Sequence, residues 1–476
     1  MIADWAREEL SAMELGDERL DTRSVELLSA LGKQPNLSIP AACKGRAEVK
    51  AAYAFFDNSK VTFEKVLEPH YARTRERMAE QDVVLLVQDT TEIDVTRPEQ
   101  EVVGAGELDG CRRGFLLHVL HAFTAGGTPL GTAWAEVWNR TEGVWHGSAA
   151  EKRRKKRQTP IEAKESMRWL TGLHKARAVA QALPGVRCVC VADSDADIYE
   201  LFSEPRGEQP VHWLIRGCQD RALADAGDNR LRDEVLATPV LYEVEVIIRG
   251  HQAKTAAEDR ARRLNRVTRQ AKVEVRAKTV TLRPPRRPDR QLPPVTVNVV
   301  IVREPSPPRG ELPIEWLLVT TLPVDTLNQV QMVVEYYCVR WGIEVLFRTL
   351  KSGCRVERRR FEHIDRVLPC LAMYLIVAWR TLFVCQLGRQ CPDLDCEAVF
   401  ETAEWKAVWV AVNHKQPPPH APRLQEMVRM VASLGGYIER RNSEPGVQTM
   451  WTGMQRMYDL AWAWDSFGPE AKIRGP

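Results

Sequence analysis

Two short apolar runs, each followed by an aspartate, constrain the fold of this chain more than any other feature. Val83–Val87 leads into Gln88-Asp89-Thr90-Thr91, and Val186–Ala192 leads into Asp193. Runs of this length and composition are typical of strands buried within a sheet. Open α/β sheets place their ligand sites at the carboxyl ends of strands. We therefore predict that Asp89 and Asp193 lie at functional strand ends.

The residues around these runs predict the rest of a mixed sheet. Residues 115–125 and 129–138 have strand-like composition around the turn Gly126-Gly127, which predicts a hairpin. Residues 164–182 predict a helix, and residues 212–216 predict one more strand. This order of elements indicates an α/β fold with a mixed sheet flanked by helices.

A β-rich insertion is predicted at about residues 217–312. Apolar and polar residues alternate at 242–246, 272–276 and 295–299, as in antiparallel strands with one solvent-exposed face. Trp316-Leu317-Leu318-Val319 then either continues this insertion or returns the chain to the core sheet.

Helices are predicted at the N-terminal end of the chain. Asp17–Leu31 forms one helix capped by Asp17, Ser38-Ile39-Pro40 opens a short second helix, and Gly45–Phe56 forms a third. Such a module is typical of a small DNA-binding head. Its predicted exposed cations are Arg19, Arg23, Lys44, Arg46 and Lys50.

The C-terminal part also predicts helices, at 369–387, 424–434 and 447–464, with a break at Pro417-Pro418-Pro419. The last helix carries a stripe of large apolar residues at helical spacing. This stripe is either core or a self-association surface, because aromatic residues and Met are enriched at the centres of interfaces. Its members are Trp451, Met454, Met457, Leu460, Ala461 and Trp464.

Length and charge narrow the class of protein. The 476 residues suffice for two or three domains. We find no signal peptide and no run of about 18 apolar residues, so no membrane span is expected. Eleven scattered cysteines predict reduced thiols in a cytosolic protein.

The net charge of +3 is unevenly distributed. Residues 252–303 contain 14 Lys/Arg against 4 Asp/Glu, a local charge of +10, and Lys152–Arg157 is a run of six cations. Basic blocks of this kind are typical of a polyanion-binding protein, although the six-residue run is equally compatible with a solvated loop.

Residues 330–351 read as one helix that carries the strongest functional pattern. Tyr337 is followed by Arg340, Glu344 and Lys351 at offsets of 3, 7 and 14 residues. On a regular helix these offsets place all four side chains on one face. A carboxylate beside two cations and a phenol suits a metal ion and the phosphates of a nucleic acid.

Three carboxylates from separate elements can form a metal site. Asp89, Asp193 and Glu344 are hard oxygen donors, which favour Mg²⁺ or Mn²⁺ over zinc. A carboxylate triad can hold two such ions about 3.5–4 Å apart and support displacement at phosphorus. Taken singly, Asp89 could cap a turn, Asp193 could begin a helix, and Glu344 could pair with a cation one helical turn away.

The chain resembles the bacterial cut-and-paste transposases of the DDE class that carry a Y-R-E-K signature, and is most similar to the Tn5 type. The matching stretches span essentially the whole chain. They are 85–91, Lys164-Glu165-Ser166, Asp193 with Ala196-Asp197-Ile198, Trp316-Leu317-Leu318, 337–351, Leu434-Gly435-Gly436-Tyr437 and the Trp-rich end.

This resemblance implies three domains. They are a helical DNA-binding domain at 1–70, an RNase H-like catalytic domain at 71–366 with the β-rich insertion, and a helical dimerisation domain at 367–476. It also implies a bacterial, cytoplasmic and nucleoid-associated homodimer. Such a dimer cuts transposon ends through a DNA hairpin and joins them to target DNA.

The resemblance further assigns roles to individual residues. Asp89, Asp193 and Glu344 match the ligands of two Mg²⁺ ions, for which Mn²⁺ substitutes. Tyr337, Arg340 and Lys351 match residues that grip the DNA backbone, and Trp316 matches an aromatic that stacks on a flipped base. Further predicted DNA contacts are Trp341, Arg216 and Arg348.

The sequence departs from the resemblance at Ala54, Asp195 and Gly342, where relatives carry Arg, Glu and Arg. The first and third changes each remove a possible DNA contact. Two other functions stay open on sequence alone. One is an RNase H-like nuclease or resolvase that does not join strands, and the other is a DNA-binding regulator without catalysis.

Overall fold

The computed structural model describes residues 2–469 except 44, 98, 141–146, 149, 152–153, 155–157, 208–210, 225–226, 228, 249–267, 289, 310 and 441–442. The chain divides into two compact units. Unit 1 comprises Met1–Val84, Asp89–His146 and Trp341–Pro476, and unit 2 comprises Leu85–Gln88 and Gly147–Arg340.

Unit 1 begins with a helical module, as predicted. Its helices are α1 (Asp4–Glu9), α2 (Glu18–Lys33), α3 (Ile39–Cys43), α4 (Arg46–Phe56) and α5 (Phe63–Ala79). The Asp17 side chain accepts a hydrogen bond from the Arg19 amide and caps α2, as its position indicated. Helix α5 was not predicted, because its apolar residues are spaced around an internal Pro69.

The next elements are strands β1 (Val83–Asp94), β2 (Gly106–Asp109), β3 (Arg112–Thr124) and β4 (Pro129–Trp138). β3 pairs antiparallel with β2 and β4, so the predicted hairpin is confirmed. Gly127 in its turn has φ of +89°, a conformation that glycine adopts without strain.

The predicted end of β1 was wrong. The strand continues seven residues past Val87, so Asp89 lies within it and not after it. Residues 84–88 are all buried, whereas burial alternates from Asp89 onward. The β-branched Thr90, Thr91 and Ile93 favour an extended strand with one solvent-exposed face. Because this alternating pattern differs from the fully apolar pattern before it, the continuation of the strand was not predicted.

Unit 2 contains helix α6 (Met167–Gln181), strand β5 (Arg187–Ala192), the short helix α7 (Tyr199–Phe202), strand β6 (His212–Gly217) and helix α8 (Leu231–Leu236). β5 and β6 are parallel, with Ala192 opposite Ile215. Asp193 directly follows β5, which confirms its predicted place at a strand end.

The insertion supplies strands β7 (Tyr242–Ile248), β8 (Arg269–Leu282) and β9 (Val295–Arg303), and β10 (Glu315–Thr320) follows. In unit 2 the strand order is β1, β5, β6, β10, β9, β8, β7. β10 is antiparallel to both β6 and β9, so it joins the insertion to the core strands. The mixed α/β sheet is thus confirmed.

The predicted single helix over 330–351 was wrong. The chain forms α9 (Leu327–Val339), turns at Arg340, forms α10 (Trp341–Arg348) and ends in a π turn at Thr349–Gly353. A capping box at Thr326 and Gln329 begins α9. Because a π turn closes on i+5, Lys351 departs from the 3.6-residue phase that sequence spacing assumed.

The remaining helices are α11 (Ile364–Gln390), α12 (Thr402–Asn413), α13 (Leu424–Leu434) and α14 (Val447–Phe467). α13 matches its predicted bounds, while α12 was missed. By length and composition α11 could cross a membrane, against the expectation that no run qualifies. However, 83% of its most apolar window is buried inside the protein, as in a core helix.

The stripe on α14 is largely core. Met454, Met457 and Ala461 are buried, whereas Trp451 and Trp464 are half-buried. All eleven cysteines are free thiols.

Candidate functional site

Asp193 begins the loop that leaves β5. Its carboxylate caps a short 3-10 turn at Ser194–Ala196, where Oδ1 accepts a hydrogen bond of 2.9 Å from the Asp195 amide. The side chain is half-buried. A short strand followed by a capped turn therefore holds this carboxylate at the carboxyl end of β5.

Tyr337 of α9 lies at the centre of the predicted DNA contacts in unit 2. The residue is 6% exposed, and the Trp316 ring lies near the Tyr337 ring with a centroid distance of 5.8 Å and a tilt of 60°. The Arg340 guanidinium is 5.9 Å from the Tyr337 ring centroid. The turn after α9 and the start of β10 thus bring three predicted residues together.

Electrostatics link this cluster to Asp193. Burial raises the pKa of Tyr337 above its usual value, and the nearby Asp193 carboxylate raises it further, while Arg340 and Arg216 oppose the rise. The phenol therefore stays neutral at physiological pH and can donate a hydrogen bond to a phosphate oxygen.

Arg216 approaches the same cluster from β6. It lies opposite Leu318 in the β6–β10 register, and its Nη2 donates to the carbonyl of Glu315 at 3.4 Å. The structure thus places Trp316, Tyr337 and Arg340 together, and Arg216 and Asp193 lie close enough to influence the pKa of Tyr337. An aromatic ring beside guanidinium groups suits a nucleobase and its phosphate.

Asp89 is held by a different set of contacts in unit 1. Its Oδ1 accepts a hydrogen bond of 2.7 Å from the Thr90 amide, and Thr90 Oγ1 lies 2.8 Å from His118 Nδ1. His118 is fully buried on β3 and meets the ring of Trp134 at 5.9 Å. Sequence reasoning missed His118, although a histidine inside the apolar stretch 115–120 was a signal.

Helix α10 carries the other predicted residues of unit 1. Glu344 is half-buried, whereas Trp341 is 54% exposed and Arg348 is also exposed. In the π turn, Lys351 Nζ lies 3.6 Å from Glu357 Oε1. An acidic side chain thus already neutralises part of the charge of this predicted phosphate contact.

Gly342 is required by the packing of α10. A Cβ there would lie 2.6 Å from Cε1 of the buried Phe123 ring. A side chain as large as the Arg expected from the resemblance does not fit. The departure noted in the sequence therefore has a steric cause.

The three predicted ligands fit a hard divalent cation by their chemistry, since all are carboxylates. Among the described residues, no three His, Cys, Asp or Glu side chains already stand as a metal-binding cluster. Asp89 and Glu344 belong to unit 1 and Asp193 to unit 2. Their convergence on a metal stays a prediction.

The predicted cations of the N-terminal module are partly exposed. Arg19, Arg46 and Lys50 are exposed, and Arg23 pairs with Glu26 at 2.8 Å. Lys44 lies outside the described residues, as does the basic run 152–157 except for Arg154.

Three known families match successive parts of the chain. "Transposase DNA-binding" matches residues 2–61, "Transposase DDE domain" matches 170–379, and "Transposase Tn5 dimerisation domain" matches 376–462. Asp193 and Glu344 lie inside the DDE match, and Asp89 lies before it. The order of the matches agrees with the sequence resemblance. The chain therefore belongs to the Tn5-type DDE transposases, metal-dependent enzymes that cleave DNA.

Proposed function

We propose that this transposase binds both ends of its transposon, cuts both strands through a DNA hairpin, and joins the 3′ ends to target DNA. The observation that carries this proposal is the cluster of Trp316, Tyr337 and Arg340, whose electrostatic neighbours include Arg216 and Asp193. A nuclease that only hydrolyses DNA has no need of an aromatic base platform beside its acidic residue.

Asp89, Asp193 and Glu344 are the proposed ligands of two Mg²⁺ ions, with Mn²⁺ able to substitute. When bound, such ions activate the attacking oxygen and stabilise the leaving oxygen in displacement at phosphorus. The chain contributes the orientation of each carboxylate. The amides of Thr90 and Asp195 hold the two aspartates by one oxygen each.

The Y-R-E-K residues are proposed to grip the strand that is cut. Tyr337 and Arg340 donate to its phosphates from unit 2, and Lys351 and Arg348 do so from unit 1. Trp316 stacks on a base withdrawn from the strand end, which stabilises the hairpin by about 1–3 kcal/mol per stacked base. Trp341 and Arg216 are proposed to assist through further stacking and charge.

The N-terminal module is proposed to recognise the transposon ends. The exposed Arg19, Arg46 and Lys50 provide phosphate contacts, joined by Arg23 and Lys44. Each phosphate contact contributes to affinity in a salt-dependent way. With DNA as its substrate, the enzyme is proposed to act in the bacterial cytoplasm, on the nucleoid.

Helix α14 is proposed to pair two subunits. Trp462 is 57% exposed and Phe467 is 77% exposed, and their rings meet edge to face at 5.9 Å. Two adjacent exposed aromatic rings form the kind of apolar surface that protein interfaces cover.

The first test removes each proposed ligand. Asp89→Ala, Asp193→Ala and Glu344→Ala should each abolish cleavage of end DNA with Mg²⁺ and with Mn²⁺. Binding of the same DNA in a gel-shift assay without metal should change less than about threefold, because the N-terminal contacts remain. A variant that still cleaves would remove its residue from the ligand set.

The second test separates joining from cutting. Precut end DNA with a free 3′-hydroxyl is incubated with a supercoiled target plasmid. The proposed enzyme inserts these ends into the plasmid. If it cuts intact ends but never inserts precut ones, it is a nuclease or resolvase. If it binds ends but neither cuts nor joins them, it is a regulator.

A further inference from the structure

Asp197 is a buried carboxylate four residues after Asp193. It is 4% exposed, and its Oδ2 accepts hydrogen bonds from the Cys218 and Gln219 amides, both at 2.8 Å. Its Oδ1 accepts from Nε of Arg221 at 3.1 Å and from Nη2 of the same side chain. Four donors therefore satisfy this carboxylate.

The main chain of Asp197 takes part in the same network. Its carbonyl accepts from Gln219 Nε2 and from Arg221 Nη2, both at 3.0 Å. The Arg221 side chain is 9% exposed and lies over the Phe202 ring at 5.0 Å. Because both charges are removed from water, loss of either one leaves the other buried and unpaired.

This network ties together two loops that leave the same edge of the sheet. One loop follows β5 and begins with Asp193. The other loop follows β6, whose last residues include Arg216. Since β5 and β6 are parallel neighbours, their carboxyl ends lie side by side. The Asp197–Arg221 pair thus fixes the segment after Asp193 to the segment after Arg216.

We propose that Asp197 is a positioning residue, which sets the place of the Asp193 carboxylate relative to Arg216. The proposal rests on the function proposed above, in which Asp193 is a metal ligand. Outer hydrogen-bond partners of metal ligands orient those ligands, and their loss typically lowers metal affinity about 10- to 100-fold. A purely structural ion pair would instead lower the melting temperature and leave metal affinity unchanged.

Asp197→Asn is the informative variant. Asparagine retains one oxygen that can accept from the Cys218 and Gln219 amides. Its amide group would face the Arg221 donors, because that group can only donate. The substitution therefore breaks the charged half of the network with almost no change of volume. Arg221→Lys keeps the positive charge but removes the paired donation from Nε and Nη2 to Asp197.

Glu200→Gln is the matched control. Glu200 is also a buried carboxylate of this segment, and it pairs with Arg287 through bonds of 2.6 and 3.0 Å. Arg287 lies in the loop between β8 and β9, so this pair does not bind the loop after β6. Its loss should destabilise unit 2 without moving Asp193.

The experiment measures Mn²⁺ binding to each full-length protein on end DNA by electron paramagnetic resonance, together with thermal unfolding. For Asp197→Asn and Arg221→Lys we expect the Kd for Mn²⁺ to rise about tenfold or more. The control should change less than twofold. End binding without metal should be retained in all variants.

Several results would overturn the positioning role. One is an unchanged Kd for Mn²⁺ in both network variants, and another is an equal rise of this Kd in the Glu200→Gln control. If Asp197→Asn does not fold, an unchanged Kd in Arg221→Lys alone would overturn the role. Cleavage is measured in parallel. A wild-type protein that binds Mn²⁺ but does not cut end DNA would reject the proposed function. The Kd comparison would then still decide the role of Asp197.

Discussion

Gly342→Ala tests the packing that holds the Glu344 helix. The added Cβ would lie 2.6 Å from Phe123 Cε1 and 2.8 Å from Cζ. Ordinary contact begins at 3.4 Å, so the helix or the ring must move by about 0.8 Å. The Phe123 ring is fully buried and has little room to move.

The expected stability change is the difference of two terms. Overpacking a filled core costs about 1–3 kcal/mol, whereas replacing glycine by alanine in a helix gains up to about 1 kcal/mol. With the full gain applied, the net loss is therefore about 0–2 kcal/mol, centred on about 1 kcal/mol. For cooperative units of 150–250 residues this lowers the melting temperature by roughly 2–4 °C per kcal/mol, which calorimetry can measure.

The rate of DNA cleavage should fall by more than the loss of folding stability alone would cause. Glu344 lies two residues from Gly342 on α10, so a shift of the helix also moves its carboxylate. A misplacement on the order of 1 Å in an active site costs about 100-fold in rate. We expect cleavage of end DNA to fall about 10- to 100-fold, with end binding retained.

Two further variants control this prediction. Phe123→Leu combined with Gly342→Ala should recover cleavage, because the smaller side chain makes room for the methyl group, although loss of the buried ring itself lowers stability. Gly353→Ala should be nearly neutral, since its Cβ would meet the half-buried Trp451 ring at 3.1 Å and that ring can yield. Wild-type melting and cleavage in Gly342→Ala would refute the reasoning.

Three other predictions follow from buried acids and exposed rings. Burial raises the pKa of Glu404 to about 7, so wild-type stability should fall as the pH rises from about 4.5 to 7. Glu404→Gln should remove this fall, which is on the order of 1–3 kcal/mol in chemical unfolding. Burial also disfavours the charged form of Glu9, but His70 and Arg77 outweigh it and lower its pKa to about 2. Its stabilisation should be complete above about pH 4.5 and lost as the pH falls toward 2; an equally steep acid transition in Glu9→Gln would contradict this. Replacing Trp462 and Phe467 together by Ser should prevent the end-paired dimer in light scattering while leaving single-end binding intact, and an unchanged dimer would exclude α14 as the interface.

Local pattern determined most of the elements near the site. The apolar run before Asp193 is short and ends abruptly, so both the strand and its end were predictable. The hairpin β3–β4 followed from composition around Gly126-Gly127. The start of α2 followed from Asp17, because capping depends on neighbouring residues alone.

Elements with two conflicting patterns were not predictable in this way. In β1 the residues before Asp89 are all buried, whereas buried and partly exposed residues alternate after it. Each of these two patterns alone predicts a different end of the strand. The helix over 330–351 keeps its periodicity through Arg340. Gly353 in its π end lies close to Trp451, and a contact between residues so distant in sequence is not visible in the local pattern.

The sequence by itself determined which residues are candidates for the chemistry, because acids, cations and aromatics at characteristic spacings are visible without coordinates. Only the tertiary structure decided what surrounds and orients them. The burial of His118 beside Thr90 and the bonds of Asp197 to the loop after β6 join residues 20 or more positions apart. Such contacts form when separate strands pack into one sheet, and no local spacing encodes them.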